Sequence, residues 1–432
     1  MQPVDGHASA DTPLPEQVRA LRGRLERLHA DVRILTDRAE HVIEQGRRQI
    51  QTAMGVAGIP DDGVAAAGVR ISADPSSRLA VGVRKVGQRI ELPFSKWLGV
   101  TRCATAAGDV AELWERLLGL ERACSGDILT GSPVTVLEIP GAAASLTANG
   151  LDVAFRGGHV GGDVAVPRFT YALPARKLRN FGHWLLDCMP QAFAMSQLVP
   201  GVRVLMPGPL KPFQEATLGL VGIAPEQVLP WAGEPIAAER LLVMQQDGRD
   251  GGGRPLAALT ALRRHLGAAD LPRGRRRIYV SRRDARSKRQ WVSNELEVEA
   301  IFRRHGFDVL LMADCPIAEQ ARIFADADIV AGVSGAGLTD LLFAPTGTHA
   351  IVLLTDSLIR WYAEDAGARS IWTSGLRARG GQLAALGDSP RFYAHVCAAF
   401  GQTCHSFVSG DAVPVETLSD FVAEVLAAAE VR

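Results

Sequence analysis

The chain has 432 residues, with 47 Lys and Arg against 47 Asp and Glu, so it carries no net charge at neutral pH. That balance gives no overall basic field for nucleic acid, and 47% apolar against 22% charged residues is an ordinary globular composition. No apolar run approaches the roughly 18 residues of a membrane span, and the length exceeds one ordinary core, which predicts two domains and an appendage.

The opening stretch, Met1 to Pro13, has neither a basic start nor an apolar core, so no secretory signal is expected. Six cysteines (Cys103, Cys124, Cys188, Cys315, Cys397 and Cys404) form no CxxC pair. They read as reduced thiols of a cytoplasmic protein.

Leu14, Val18, Leu21, Leu25, Leu28, Val32, Leu35, Ala39 and Val42 alternate spacings of four and three. That is a heptad seam, and so narrow an apolar stripe needs a partner helix. A coiled-coil oligomerisation helix over 1–52 is therefore expected, with a Gly-, Ala-, Asp- and Pro-rich linker over 53–77.

Residues 78–265 form a mixed α/β segment. Strands are expected at 136–139, 202–206 and 240–244, and a helix over Phe181–Leu198. The stretch Asp247–Pro255 (DGRDGGGRP) reads as a break. From 266 to 432 the pattern becomes regular. Strands are expected at 277–281, 308–312, 328–333 and 350–354. Between them lie a helix opened by an Asn294/Glu297 capping box, a helix over 316–325 and another over 336–343. This alternation means a parallel sheet with helices on both faces, which binds ligands beyond the carboxyl ends of its strands.

Three segments carry chemistry. Val330 to Asp340 (VAGVSGAGLTD) runs an apolar strand into a turn of small residues, where backbone N–H groups suit a phosphate. Ser281 to Arg289 (SRRDARSKR) leaves a strand at the same edge, and its guanidinium groups suit phosphate oxygens. In Asn180 to Pro190 (NFGHWLLDCMP), His183 and Asp187 are four residues apart and share a helix face, as a base for an acceptor hydroxyl would require. A helix cap and a core-edge ion pair explain that spacing equally well. Gly332 to Ala336 also nearly fits the nucleophile elbow G-x-S-x-G. An α/β-hydrolase would then use Ser334 with Asp356 or Asp365 and His395 or His405. The histidines show no metal-ligand spacing and no D-x-D pair lies beside the turn, so no metal and no cofactor are expected.

Taken together, NFGHWLLDCMP at 180–190, IYVSRRDARSKR at 278–289, NELEVEAIFRRHGFDVL at 294–310 and the segment 317–354 resemble bacterial members of glycosyltransferase family 61. The resemblance covers about 170 to 430. It implies an α/β, GT-B-like fold in which two Rossmann-like domains face a cleft: an acceptor-side domain over 78–265 and a donor domain over 266–432. It also implies inverting transfer of a hexose or pentose from a nucleotide-sugar to a glycan or lipid-linked acceptor in capsule, exopolysaccharide or lipopolysaccharide assembly. In that reading Arg282, Arg283, Arg289, Ser334, Gly335, Ala336, Gly337, Thr339 and Asp340 hold the donor, and Glu319 takes its ribose. Asn180 and Trp184 face the acceptor. Asp187 is the first choice of base and His183 the second. The family pattern G-x-H-G-A-G-L-T-N, then G-T-x-V-I-E-L, is broken here by Ser334, Asp340 and Val352. A relative that binds the nucleotide-sugar with little or no turnover is therefore the alternative. The expected partners are a nucleotide-sugar, a glycan acceptor and further copies of the chain through 14–42. Nucleic acid is not expected, and membrane association is peripheral at most, at the inner face.

Overall fold

A computed structural model describes residues 69–72, 82–86, 90–93, 98–104, 108–125, 128–131, 134–147, 150–154, 163–166, 180–207, 209–231, 236–245, 256–284, 292–364 and 391–430. The heptad seam at 14–42, the break at 247–255 and Arg289 lie outside the described residues, as does most of the segment 53–77; the linker expected there is corrected at its end, where Val69–Ser72 form a strand paired with Gly150–Ala154.

Six parallel strands form the sheet that carries the turn. Their order is Asp308–Leu311, Arg276–Ser281, Ala327–Val333, His349–Thr355, Thr403–Ser409 and Leu98–Cys103. Its inner strands are buried on both faces, so they read as continuous apolar runs. Alternation still divides them. Val330, Ala350 and Val352 join a core with Phe324 and Val396 on one face. Ile329, Ala331, Val333, Ile351 and Leu353 join Phe302 and Phe421 on the other. The helices Ile317–Ala325 and Phe392–Phe400 therefore cover the first face, and Glu295–Arg304 and Val415–Glu430 the second.

The sixth strand comes from Leu98–Cys103, about 300 residues before its partner Thr403–Ser409. No local pattern announces that pairing. It is sealed by a fit between Gly99 and His405: a Cβ on Gly99 would lie 2.4 Å from the His405 Nδ1.

A second sheet of eight strands joins segments between Val69 and Trp231 with Ile236–Gln245. It is mixed, where the resemblance implies a Rossmann-like domain. Its long strand Val134–Thr147 pairs antiparallel with Gly150–Ala154, with Ile236–Gln245 and with Gly82–Val86. Antiparallel neighbours need only short connections, so no crossover helix is required between the first two.

Two local expectations are corrected. The Asn294 side chain makes no cap hydrogen bond. Its Oδ1 accepts from the Val413 N–H and its Nδ2 donates to the Val413 carbonyl, so it ties the helix start to the chain's C-terminal region. The segment after the glycine turn is a seven-residue 3-10 helix, Ala336–Leu342, not an α-helix. So short a helix adds little macrodipole, and any anion there is held by individual N–H groups and cations.

Candidate functional site

The strand order defines where a ligand sits. The chain leaves Arg276–Ser281, forms Asp308–Leu311 on one side of it, then crosses to form Ala327–Val333 on the other. The carboxyl ends of Arg276–Ser281 and Ala327–Val333 thus flank a topological switch point, where α/β sheets open a binding crevice. Ser281–Arg283 and Ser334–Gly337 leave from those two ends.

Glycines close the crevice floor. A Cβ on Gly337 would lie 2.9 Å from the Val280 Cγ1, and one on Gly332 would lie 3.2 Å from the Val280 carbonyl oxygen. The turn can therefore lie directly on the neighbouring strand. The N–H groups of Ala336 and Gly337, in the first turn of the 3-10 helix, have no acceptor in the helix ladder. The far end of the helix is clamped. Arg263 donates to the Leu341 and Leu342 carbonyls at 3.3 and 2.9 Å, and Gln402 donates to the Leu341 and Ala344 carbonyls at 2.9 and 3.1 Å. Burial lowers the Arg263 guanidinium to about 10, which leaves it cationic at neutral pH.

Two buried carboxylates hold the basic strand end. Glu295 Oε1 accepts from the Tyr279 hydroxyl at 2.9 Å and from the Arg282 N–H at 3.1 Å. Glu299 accepts from the Ser281 hydroxyl, Arg283 and Arg303 at 2.8, 2.5 and 2.9 Å. Burial pushes the Glu299 carboxyl up, but those three hydrogen bonds and the Arg283 charge together hold it below the ordinary carboxylate range. The Arg283 Nε is thus committed to Glu299. The electrostatic partners of Arg282 include Tyr393, whose hydroxyl reaches the turn. Burial lowers the Arg282 pKa first, and the Tyr393, Glu295 and Asp284 side chains act against that.

The third segment meets the turn from the other side. A Cβ on Gly182 would lie 3.1 Å from the Thr339 methyl and 3.5 Å from Ala336. Beyond Gly182 the helix widens into a π-turn, Trp184–Cys188. Such insertions occur often at functional sites. His183 Nδ1 and Asp187 Oδ2 are 2.9 Å apart across it, with side-chain exposures of 19% and 3%. Of the pair, the imidazole is the accessible group.

Several residues expected in the site do other work. Trp184 does not face an acceptor: it is fully buried and donates from Nε1 to the Thr217 hydroxyl at 2.7 Å. Asn180 caps the helix by accepting from the His183 N–H at 3.3 Å. Thr339 spends its hydroxyl on the Ala336 carbonyl at 2.5 Å. Ser334 is buried and donates its N–H to the Leu353 carbonyl. Glu319 is exposed on the first turn of Ile317–Ala325.

The hydrolase reading finds little support. Among the described residues no non-glycine has a positive φ, so Ser334 lacks the strained backbone of a nucleophile elbow. His405 is spent as well. Its Nδ1 accepts from the Val100 N–H at 3.0 Å and its Nε2 pairs with His349 at 2.9 Å. Asp365 lies outside the described residues, and Asp356 pairs with Arg360.

Residues 181–351 match the family model described as Glycosyltransferase 61, and over that span the chain is similar to that family. No curated protein matches the chain. The matched span includes the His183–Asp187 turn, Arg282 and the glycine turn, and ends before Tyr393.

Asp340, where the resemblance leads one to expect Asn, is 0% exposed, and neither of its carboxyl oxygens has a hydrogen-bond partner. Burial holds that carboxyl well above its ordinary range, so the fold favours its protonated form. A raised carboxyl pKa gives stability that is full below the unfolded value and lost as pH rises. Asp340→Asn removes the titration while keeping the shape. It is expected to raise the unfolding free energy at pH 7, with the gain shrinking toward pH 4. Urea unfolding at both pH values checks this, and no gain at pH 7 would contradict it.

Proposed function

We propose that the chain is a glycosyltransferase that moves a sugar from a nucleotide-activated donor to an acceptor hydroxyl with inversion. The observation that carries this is the convergence of three separate segments, Gly182–Asp187, Ser281–Arg282 and Ser334–Gly337, on one switch-point crevice. Arg282 and the turn's N–H groups take the donor diphosphate and stabilise it as it departs. His183 takes the acceptor proton, and Asp187 orients the imidazole. The acceptor in this reading is a glycan or lipid-linked glycan of surface polysaccharide assembly, with the donor used on the cytoplasmic side; the family match over 181–351 supports sugar transfer. The heptads at 14–42 make the chain an oligomer.

A nucleotide-sugar panel tests the reading. Thermal stabilisation by one donor, with release of its nucleotide in the presence of acceptor, is the expected result. Stabilisation without turnover on any acceptor would favour the binding-only relative, which Ser334 in place of the family's His supports. Arg282→Ala is expected to weaken nucleoside diphosphate binding by about tenfold or more, as loss of a charge-assisted contact does. Unchanged affinity in titration calorimetry would remove Arg282 from the donor site.

A further inference from the structure

The helix Phe392–Phe400 lies beyond the family match, yet it reaches the turn. Tyr393 is 4% exposed, and its hydroxyl donates to the Gly335 carbonyl. The same carbonyl accepts the Leu338 N–H at 3.0 Å. Arg282 interacts electrostatically with Tyr393, so one phenol touches the turn and neighbours the strand-end arginine.

A trans peptide points its C=O and its N–H in opposite directions. Fixing the Gly335 carbonyl therefore aims the Ala336 N–H the other way. The sense matters, because a carbonyl turned toward a phosphate repels it and an N–H binds it. The Leu338 bond opens a 3-10 helix, whose hydrogen-bond geometry is poor. Gly335 is extended, at φ 166° and ψ 179°, and carries no side chain to resist rotation of that peptide. The buried tyrosine supplies the second restraint.

We infer that Tyr393 is a positioning residue of the donor turn: its hydroxyl locks the Gly335–Ala336 peptide with the Ala336 N–H available to a phosphate oxygen of a nucleoside diphosphate. This rests on the donor-site reading above. Nothing in the sequence around Tyr393 signals the role, since its link to Gly335 spans 58 residues.

The test uses the full chain and titrates it with UDP, GDP, dTDP and CDP. Tyr393→Phe removes the hydroxyl alone. The Kd of the best-binding nucleotide is expected to rise about tenfold, while the thermal midpoint falls by no more than about 4 °C. A purely structural role would lower the midpoint and leave the Kd of the folded chain alone, so an equal Kd overturns the inference. Amide hydrogen exchange on the wild-type chain gives a second reading that needs no variant. The Ala336 amide should slow on saturation with the bound nucleotide, and an unchanged rate also overturns the inference. If the wild-type chain binds none of the four, the donor-site reading falls and takes this inference with it. If it binds and the variant binds equally, only the inference falls.

Discussion

His183→Ala is expected to lower the rate of sugar transfer by about 10²–10⁴-fold, the share a positioned general base contributes, with nucleoside diphosphate affinity unchanged. The base must reach an acceptor hydroxyl, and of the two bonded groups the imidazole is the more exposed, at 19% against 3%. A carboxylate can only accept, so Asp187 Oδ2 accepts the hydrogen bond of a His183 Nδ1–H, and that tautomer carries its basic lone pair on Nε2. This order reverses the sequence-based preference, in which Asp187 was the base. Asp187→Asn carries the argument further. An amide donor at that site favours the tautomer with hydrogen on Nε2, which cannot accept a proton, so the loss should approach that of His183→Ala. Transfer rates and nucleotide titrations of both variants decide the matter. A His183→Ala chain that stays active beside a dead Asp187→Asn chain would return the role of base to Asp187.

The second large effect concerns acid. Burial, with His349 as the nearest charge, lowers His405 from 6.5 to about 3. Its surroundings are the Val100 N–H on one side and the His349 ring on the other, stacked with centroids 5.2 Å apart. The folded chain keeps the ring neutral, whereas the unfolded chain takes up a proton below about pH 6.5. Stability is therefore intact above that pH and is lost as pH falls toward 3. Linkage puts the loss from this group at about 2 kcal/mol between pH 7.5 and 5. Glu299 works in the same direction but only at lower pH, because its unfolded value is 4.5. His305, lowered by burial and by Arg304 and Arg277, adds a smaller share. His405→Gln can still accept from Val100 and donate to His349. Asp340 acts in the opposite sense over this range, so the expected result is a pH 7.5-to-5 slope of urea unfolding lower than the wild type's by the His405 share. An unchanged slope would show that His405 does not set the acid response.

The strand–helix alternation from Arg276 to Thr355 was legible because each element follows from neighbouring residues. So was the location of the crevice, since ligands bind at carboxyl ends of parallel strands and both marked segments leave such ends. What the sequence concealed depends on residues far apart in the chain. Tyr393, Glu295 and Glu299 look like ordinary helix residues until folding sets them against Gly335, Arg282 and Ser281 respectively. Arg283 matched the phosphate-gripping pattern as well as Arg282 did, and only the buried Glu299 separates their roles. Trp184 was assigned to the acceptor side by the resemblance alone. Burial and Thr217 give it a packing role instead. The helix after the turn was legible as a helix, but seven residues contain too few turns to distinguish a 3-10 from an α period.

The sheet edge formed by Leu98–Cys103 has a consequence for synthesis on the ribosome. That strand emerges about 300 residues before its partner Thr403–Ser409. The crevice strands can pair before then, but Gly99 and Val100 must wait for His405. Folding of this sheet therefore ends with a long-range closure that carries a high loop-entropy cost and a slow rate. Until it occurs, Thr403–Ser409 presents an open apolar edge to other chains. A fragment begun at residue 266 would keep that edge permanently and should aggregate, even though it contains the whole glycine turn.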